Sequence, residues 1–289
     1  ELPAPGEPEV DVELPFPSLA HATMEPMNAV AEVRDGAVTV WAPTQDPQGA
    51  ARTAATAAGV APTAVTVHAT LAGGGFGRRA SNDYVQEAVQ VARAVGKPIK
   101  LLWTRDDDFK GDSYRPASAH RLRGSVADGA IATWRHRFAI AGGGGGGRLG
   151  ESARPAYRVP SPDLVGTAER LFVPTGVWRS VNNSQINPAN EILVDALAAA
   201  AGADPVAFRL AHLDNARLRD VVQRAADASG WGEPLPPRRG RGIAFFNGYG
   251  SPIAQVVELS VAADGRVTVH RVVAAVDCGL AINPSAIRA

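Results

Sequence analysis

The chain has 289 residues, enough for one large domain or two ordinary ones, and 45% of its residues are hydrophobic, as in a globular protein with a substantial core. Basic and acidic residues balance at 29 each, so the charge does not favour nucleic acid or an acidic membrane surface as a partner. The single cysteine, Cys278, excludes an internal disulfide and any all-cysteine metal or iron–sulfur site within this chain. No apolar run approaches the roughly 18 residues that a membrane-spanning helix needs. Because the chain begins at Glu1 rather than Met, we expect that a leader or a longer segment precedes it.

The N-terminal region predicts an extended segment followed by a β-hairpin. Residues 1–18 are rich in proline and acidic residues, which indicates an extended segment rather than a domain. In the next stretch His21 lies close to Met24 and Met27. Three ligands of mixed softness are weak evidence for a metal site, so we interpret His21 as a core histidine. Alternating apolar residues on either side of Asp35-Gly36 then predict the hairpin.

Gln45 lies between the second strand of that hairpin and a predicted helix. The helix covers Pro47 to Gly59, where the glycine suits a C-cap. Taken by itself, Gln45 is interpreted as a helix-capping or surface glutamine.

A glycine-rich loop lies between a predicted strand and a predicted helix. Residues 64–69 alternate as a strand does, and residues 83–95 repeat their apolar side chains at helical spacing. Between them, four of the five residues from Gly73 to Gly77 are glycine, which lets a backbone approach a bulky ligand. Peptide N–H groups and the positive end of the helix favour an anion there, and Arg78 and Arg79 strengthen that preference. The alternative is a turn that only joins two elements.

The two common nucleotide-binding loops fit this stretch poorly. A dinucleotide fingerprint needs a third glycine where Arg78 stands, and a P-loop needs Lys and Ser or Thr after its last glycine, where Arg78 and Arg79 stand. A nucleotide-binding oxidoreductase is therefore an alternative supported only by the order of strand, glycine loop and helix.

A strand at 98–103 would complete a β-α-β unit around the loop. The acidic run from Arg105 to Phe109 is interpreted as the start of a helix rather than as a cation site. Gly142 to Gly147 form an unbroken glycine run, which predicts a flexible linker between a first half at 19–141 and a second half at 148–289.

The second half is predicted to begin as irregular, extended chain and to end in helices and strands. Residues 157–174 show no regular period. The polar loop with Trp178-Arg179-Ser180 offers a guanidinium fork to an anion or carbonyl, although a surface arginine explains it equally well. We interpret Cys278 as a buried small hydrophobe. Periodicity predicts helices at 189–201, 206–213 and 217–229 and a hairpin with strands at 253–261 and 266–273.

Three stretches of this chain resemble the molybdenum hydroxylases, the superfamily of xanthine dehydrogenase and aldehyde oxidoreductase. The segment from Gly73 to Arg79 is similar to the loop that passes beside the pterin-bound molybdenum in that superfamily. Its doubled arginine looks most like the branch that contains the isoquinoline 1-oxidoreductase β-subunits. The strings Trp178-Arg179-Ser180 and Asp277 to Pro284 also resemble the family. The resemblance implies an α+β fold, with mixed sheets and packed helices, and the central portion of a larger molybdopterin-binding subunit.

The resemblance also implies a cofactor and a reaction. The cofactor would be the molybdenum cofactor in its molybdopterin cytosine dinucleotide form, and the reaction would be hydroxylation of N-heteroaromatics or oxidation of aldehydes with water as the oxygen source. The implied partners are a small [2Fe-2S] subunit that carries the iron–sulfur clusters, a cytochrome-type electron acceptor and further fragments of the large subunit. A periplasmic location is slightly preferred to a cytoplasmic one.

The implied site joins the glycine loop to residues elsewhere in the chain. Gln45 would face an oxygen ligand of the metal, and Phe76 would lie near the metal rather than in the core. Gly75→Val is expected to abolish cofactor loading, because a β-branched side chain would block backbone approach and a positive φ. The general-base glutamate is expected beyond Ala289, and a catalytically inactive scaffold or binding module of the same fold is the main alternative. The cofactor-binding residues implied in this chain are Gln45, Gly74, Gly75, Phe76, Gly77, Arg78, Arg179 and Ser180.

Overall fold

The computed structural model describes residues 9–142 and 153–288, which include three β-sheets and the helices that pack on them. The mixed sheets with packed helices agree with the predicted α+β class. The strands are β1 (Glu9–Phe16), β2 (Asn28–Arg34), β3 (Ala37–Ala42), β4 (Val65–Ala69), β5 (Ile99–Leu102), β6 (Ser118–Ala127), β7 (Ala130–Ala141), β8 (Asp163–Glu169), β9 (Arg239–Gly248), β10 (Ser251–Val261) and β11 (Val267–Val276). The helices are α1 (Pro47–Ala58), α2 (Asp83–Val95), α3 (Arg105–Lys110), α4 (Asn183–Ala200), α5 (Pro205–His212), α6 (Ala216–Ser229) and α7 (Pro284–Arg288).

The first sheet has the strand order β4-β3-β2-β5 and carries α1 and α2. The predicted β2–β3 hairpin is confirmed, with its turn at Asp35 and Gly36, both at positive φ. The α1 helix begins after Asp46, whose side chain accepts a hydrogen bond from the Gly49 N–H, and ends at Gly59 in the left-handed conformation. A separate hydrophobic core lies between this sheet and the two helices, within residues 27–103.

The connection that matters for the site is β3–α1–β4. β3 and β4 pair in parallel, with Val40 opposite Val67, so both strands end at the same edge of the sheet. β5 instead pairs antiparallel with β2 and does not neighbour β4. The β-α-β unit whose two strands are parallel neighbours is therefore β3–α1–β4, which precedes the glycine loop. In the predicted unit around the loop, β4–α2–β5, the two strands are not neighbours in the sheet.

The second sheet has the order β1-β6-β7-β8. β1 pairs antiparallel with β6, so part of the predicted N-terminal extended segment is a strand of this sheet. β8 lies parallel to β7 in a stretch predicted to be irregular. Two buried histidines join β6 to β7, with His120 Nδ1 and His136 Nε2 2.9 Å apart.

Helix α4 packs against the second sheet and against β9 of a third sheet of order β11-β10-β9, α6 packs against that third sheet, and α5 packs against α4 and α6. The α4 helix begins at Asn183, six residues before the predicted start, and contains Pro188 in its interior. A proline removes one backbone donor from a helix, and the following apolar turns, with Leu193 and Leu197 fully buried, hold this helix in place. Hydrophobic contacts group β1, β6 and β7 with these helices and with β9 and β10 in one core, so the predicted halves share that core.

Cys278 is exposed, so its interpretation as a buried hydrophobe was wrong, because it follows β11, an edge strand that is itself mostly exposed. Of the predicted glycine linker, Gly142 donates its N–H to the Glu169 carbonyl oxygen at 2.7 Å, and Gly143 to Gly147 lie outside the described residues.

Candidate functional site

Gln45 and the glycine loop meet at the edge where β3 and β4 end. The Gly77 N–H donates to Gln45 Oε1 at 3.0 Å, although the two residues are 32 positions apart in the sequence. The Gln45 N–H in turn donates to the Arg79 carbonyl oxygen at 3.1 Å. The expectation that Gln45 approaches the loop from the preceding strand is confirmed, since parallel neighbours bring their carboxyl ends to one edge.

The hydrogen bond from Gly77 also fixes which end of the Gln45 amide is free. Because Oε1 accepts a backbone N–H, the amide group must point its Nε2 hydrogens elsewhere. Nε2 has no partner among residues 9–142 and 153–288, and the Gln45 side chain is exposed. Gln45 therefore offers an open pair of N–H donors beside the loop.

The backbone of the loop adopts conformations that side chains rarely allow. Gly74 and Gly77 have φ of 95° and 108°, and Phe76, which has a side chain, has a φ of 58°. Gly75 is not at positive φ, so that part of the reason given for Gly75→Val was wrong. A Cβ at Gly75 would instead lie 2.5 Å from Gln45 Oε1, and it would displace the Gln45 side chain from its bond with Gly77.

Three successive N–H groups of the loop have no partner in the described part of the chain. The Gly73 N–H donates to Glu25 Oε2 at 2.8 Å and the Gly77 N–H to Gln45, but those of Gly74, Gly75 and Phe76 are unpaired. Free backbone N–H groups at successive positions are donors that a bound anion can use. The loop therefore fits an anionic or oxygen-rich group, with donors on the backbone and on Gln45.

The two arginines after the loop lie beneath it and not at its open face. Arg79 is fully buried and donates to the Gly74 carbonyl oxygen at 2.7 Å and to Glu25 Oε2 at 2.9 Å. Arg78 is also buried and binds both carboxylate oxygens of Asp83 at 2.8 Å. The expectation that these side chains attract the anion directly was wrong, because carboxylates of the protein already bind them.

Charge compensation keeps Arg78 ionised in that buried position. Burial by itself would lower the pKa of Arg78, but its hydrogen bonds to Asp83 and the nearby Asp112 carboxylate raise that pKa above its ordinary value. Asp112 Oδ1 lies 3.1 Å from Arg78 Nε. Arg78 thus holds the first turn after the loop to two acidic residues.

The Trp178-Arg179-Ser180 turn contacts the loop from about a hundred residues further along the chain. The Arg179 N–H donates to the Phe76 carbonyl oxygen at 3.0 Å, and the Arg179 guanidinium lies 4.1 Å from the centre of the Phe76 ring. Phe76 is 40% exposed, so its ring faces the open side of the loop and not the general core. Ser180, at a φ of 65°, has its carbonyl oxygen bound by the Tyr249 hydroxyl at 3.1 Å. Of the implied site residues, the structure brings Gln45, the loop and Arg179 into direct contact.

Sequence reasoning missed three residues that build this region, Glu25, Asp112 and Tyr249, whereas His21 is buried, as its interpretation as a core histidine predicted. His21 and Glu25 lie in a stretch that had been interpreted only as part of the fold, and both contact distant segments through side chains. Glu25 is one of several acidic residues upstream of the loop, and no local pattern distinguishes it. Asp112 and Tyr249 have no local pattern that distinguishes them.

The surroundings of the loop are open in this chain. A cavity of 260 Å³ lies beside the turn, lined in part by Val177, Val181 and Asn182. Within the described residues, no three His, Cys, Asp or Glu side chains are grouped closely enough to hold a metal ion. The helices described are also too short or too polar for any of them to cross a bilayer.

Comparisons with known proteins assign this chain to a family of cofactor-binding domains. Residues 7–213 match the molybdopterin cofactor-binding domain family. The isoquinoline 1-oxidoreductase β-chain from Brevundimonas diminuta is 32% identical over 93% of this chain, and a nicotinate dehydrogenase chain from Pseudomonas putida is 28% identical over 94%. The solved structure of an aldehyde oxidoreductase from Desulfovibrio desulfuricans superposes over 92% of the chain with a TM-score of 0.72 at 17% identity, which shows a common fold.

The chain spans only part of these proteins. It covers 37% of the isoquinoline 1-oxidoreductase chain, 26% of the nicotinate dehydrogenase chain and 33% of the aldehyde oxidoreductase chain. The family match nevertheless extends over well more than half of this chain and includes Gln45, the glycine loop and Arg179. The chain therefore belongs to the molybdopterin cofactor-binding domain family of the molybdenum hydroxylases.

Proposed function

We propose that this chain is part of the molybdopterin-binding subunit of an oxidoreductase that hydroxylates N-heteroaromatic compounds or oxidises aldehydes. The observation that carries the proposal is the set of unpaired donors at one edge of the first sheet: the N–H groups of Gly74, Gly75 and Phe76 together with Gln45 Nε2. An oxygen-rich ligand would satisfy such a set of donors.

Each part of the site has a separate task in this proposal. The loop N–H groups bind oxygen atoms of the cofactor, and Gln45 donates from Nε2 while its Oε1 keeps the loop in shape. The molybdenum and its pterin supply the redox chemistry, with water as the source of the oxygen. Arg179, stacked on Phe76, presents a cation beside the site, where it can orient a substrate and stabilise negative charge that develops on it.

The remaining components of the proposal follow from the resemblance to the family. The cofactor would be the molybdopterin cytosine dinucleotide form. Electrons would leave through a small [2Fe-2S] subunit towards a cytochrome-type acceptor, since the one cysteine of this chain cannot hold a cluster. Other segments of the large subunit would complete the site and provide the general-base glutamate. The complex would lie in the periplasm in preference to the cytoplasm.

The test is the metal content of the complex purified with all its natural chains. We expect about one molybdenum per copy of this chain by elemental analysis, together with turnover of an N-heteroaromatic compound or an aldehyde. A preparation that is active without stoichiometric molybdenum would overturn the proposal. Gly75→Val, which displaces Gln45, should lower the molybdenum content, and Gly129→Ala, at an open turn with a positive φ, should leave it unchanged.

A further inference from the structure

The segment that precedes the first sheet connects the two parts of the site. Its His21 is buried, and its backbone N–H donates to Asp112 Oδ2 at 2.6 Å. Its ring nitrogen Nδ1 lies 2.9 Å from Asp112 Oδ1, and Nε2 lies 2.7 Å from the Val177 carbonyl oxygen. One side chain therefore binds residues 91 positions and 156 positions away in the sequence.

Both acceptors of His21 belong to the site region. Asp112 also lies 3.1 Å from Arg78 Nε, so it links His21 to the turn directly after the glycine loop. The Val177 carbonyl packs on the loop itself, since a Cβ at Gly77 would lie only 1.9 Å from its oxygen. A small shift of that carbonyl would change the contact between the loop and the turn.

The two ring nitrogens of His21 face two different oxygen atoms, one of the Asp112 carboxylate and one of the Val177 carbonyl group. A glutamine at this position could satisfy one of the two contacts, and an alanine could satisfy neither. Thus a graded set of variants is available at a single position.

We infer that His21 is a positioning residue, which holds the Val177 carbonyl against Gly77 and so sets the separation of Phe76 from Arg179 across the site. The inference rests on the proposed function only in taking the separation of Phe76 from Arg179 as a dimension of the cofactor site. The Arg179 N–H bond to the Phe76 carbonyl oxygen, at 3.0 Å, lies two residues from the carbonyl that His21 holds. Loss of the His21 bond should therefore loosen this second bond as well.

The experiment is hydrogen–deuterium exchange, read by mass spectrometry on the purified complex. In His21→Ala, the hydrogen-bonded amides of Arg179 and Val181 in the turn and of Gly77 and Arg78 in the loop should exchange about tenfold faster, as expected when a hydrogen bond of ordinary net strength is lost. Amides of α6 should exchange as in the wild type. His21→Gln should give a smaller increase at the same two segments, because it keeps one contact, and this variant decides the question if His21→Ala does not fold.

His212→Ala is the matched control. His212 is equally buried, and its ring also bridges two groups, accepting from the Ile131 N–H at 3.0 Å and donating to the Phe208 carbonyl oxygen at 2.7 Å. This control should speed exchange near 131 and 208–213 and leave the turn as in the wild type. The inference fails if the turn in the His21 variants exchanges at the wild-type rate, or if His212→Ala loosens the turn equally. Because exchange does not require the metal, a complex that lacks molybdenum would refute the proposed function and leave this result standing.

Discussion

Two substitutions of Gln45 separate its two hydrogen-bonding tasks. Gln45→Ala removes both the acceptor for the Gly77 N–H, at 3.0 Å, and the free Nε2 donors. Gln45→Glu keeps an acceptor for Gly77 and replaces the donors by a second acceptor. A hydrogen bond made in the transition state contributes roughly 1–3 kcal/mol, and about 1.4 kcal/mol corresponds to tenfold in rate. Both variants should therefore lower turnover about tenfold or more.

The free energy of unfolding should distinguish the two variants, because only Gln45→Ala should lower it. Gln45→Ala should lower the free energy of unfolding by about 0.5–1.5 kcal/mol, the net value of one hydrogen bond. Gln45→Glu should not lower it, because a charged acceptor binds a backbone N–H at least as strongly. The assay is steady-state turnover normalised to molybdenum content, together with denaturant unfolding, with the exposed Gln48→Ala of α1 as the control. If Gln45→Glu turns over at the wild-type rate, Gln45 serves only to hold the loop, and its role towards the cofactor is refuted.

Three further predictions follow from the backbone and from buried charges. Gly77→Ala should lower the free energy of unfolding by about 1–3 kcal/mol more than Gly129→Ala does. Both glycines have a positive φ, but only at Gly77 would a Cβ lie against a backbone carbonyl. Equal losses of stability in urea unfolding would contradict this prediction. Arg78→Ala should cost about 3–5 kcal/mol of unfolding free energy, because it leaves a buried carboxylate partner uncompensated, and a loss below about 1 kcal/mol would argue against that network. Burial lowers the pKa of His120 to about 4, and burial with repulsion from His120 lowers that of His136 to about 3. The unfolded chain takes up these protons below about pH 6.5, so the free energy of unfolding should fall as the pH drops from about 6.5 towards about 4, by up to about 1.4 kcal/mol per pH unit for each histidine. His136→Phe should remove about half of this dependence in unfolding curves measured across that range, and an unchanged slope would refute the assignment.

Local sequence chemistry was sufficient for some elements and not for others. Asp35-Gly36 and Gly59 were assigned correctly, because the positive φ they adopt depends on residues next to them. Strand β9 was not predicted, because its first residues, Arg239-Gly240-Arg241-Gly242, include neither apolar side chains at alternate positions nor β-branched residues. This segment is ordered by its pairing with β10. The same limit explains β8, which lies beside β7 through long-range pairing.

The part of the site at the ends of two neighbouring strands could be predicted from the sequence. The contacts that side chains make between distant segments of the chain could not. Gln45 and the loop follow parallel neighbouring strands, so topology alone brought them together. The doubled arginine led to the wrong expectation that both side chains attract the anion. The carboxylates that bind Arg78 are not recognisable as its partners from their spacing in the sequence. The His21 contacts were likewise invisible, since Asp112 and Val177 lie in unrelated stretches.

The distance in sequence between His21 and Val177 has a consequence for the order in which the protein is made. The hydrophobic core of residues 27–103, in the stretch that also contains Gln45 and the glycine loop, is formed by contacts within that stretch, so it can pack while the rest of the chain is still being synthesised. At about 5–20 residues per second, roughly 5–20 seconds pass between synthesis of the loop and synthesis of the turn that packs on it. During that interval the loop meets solvent on the side that Val177 and Arg179 later cover. A bulky ligand therefore finds the loop most accessible on the growing chain, before the turn closes against it.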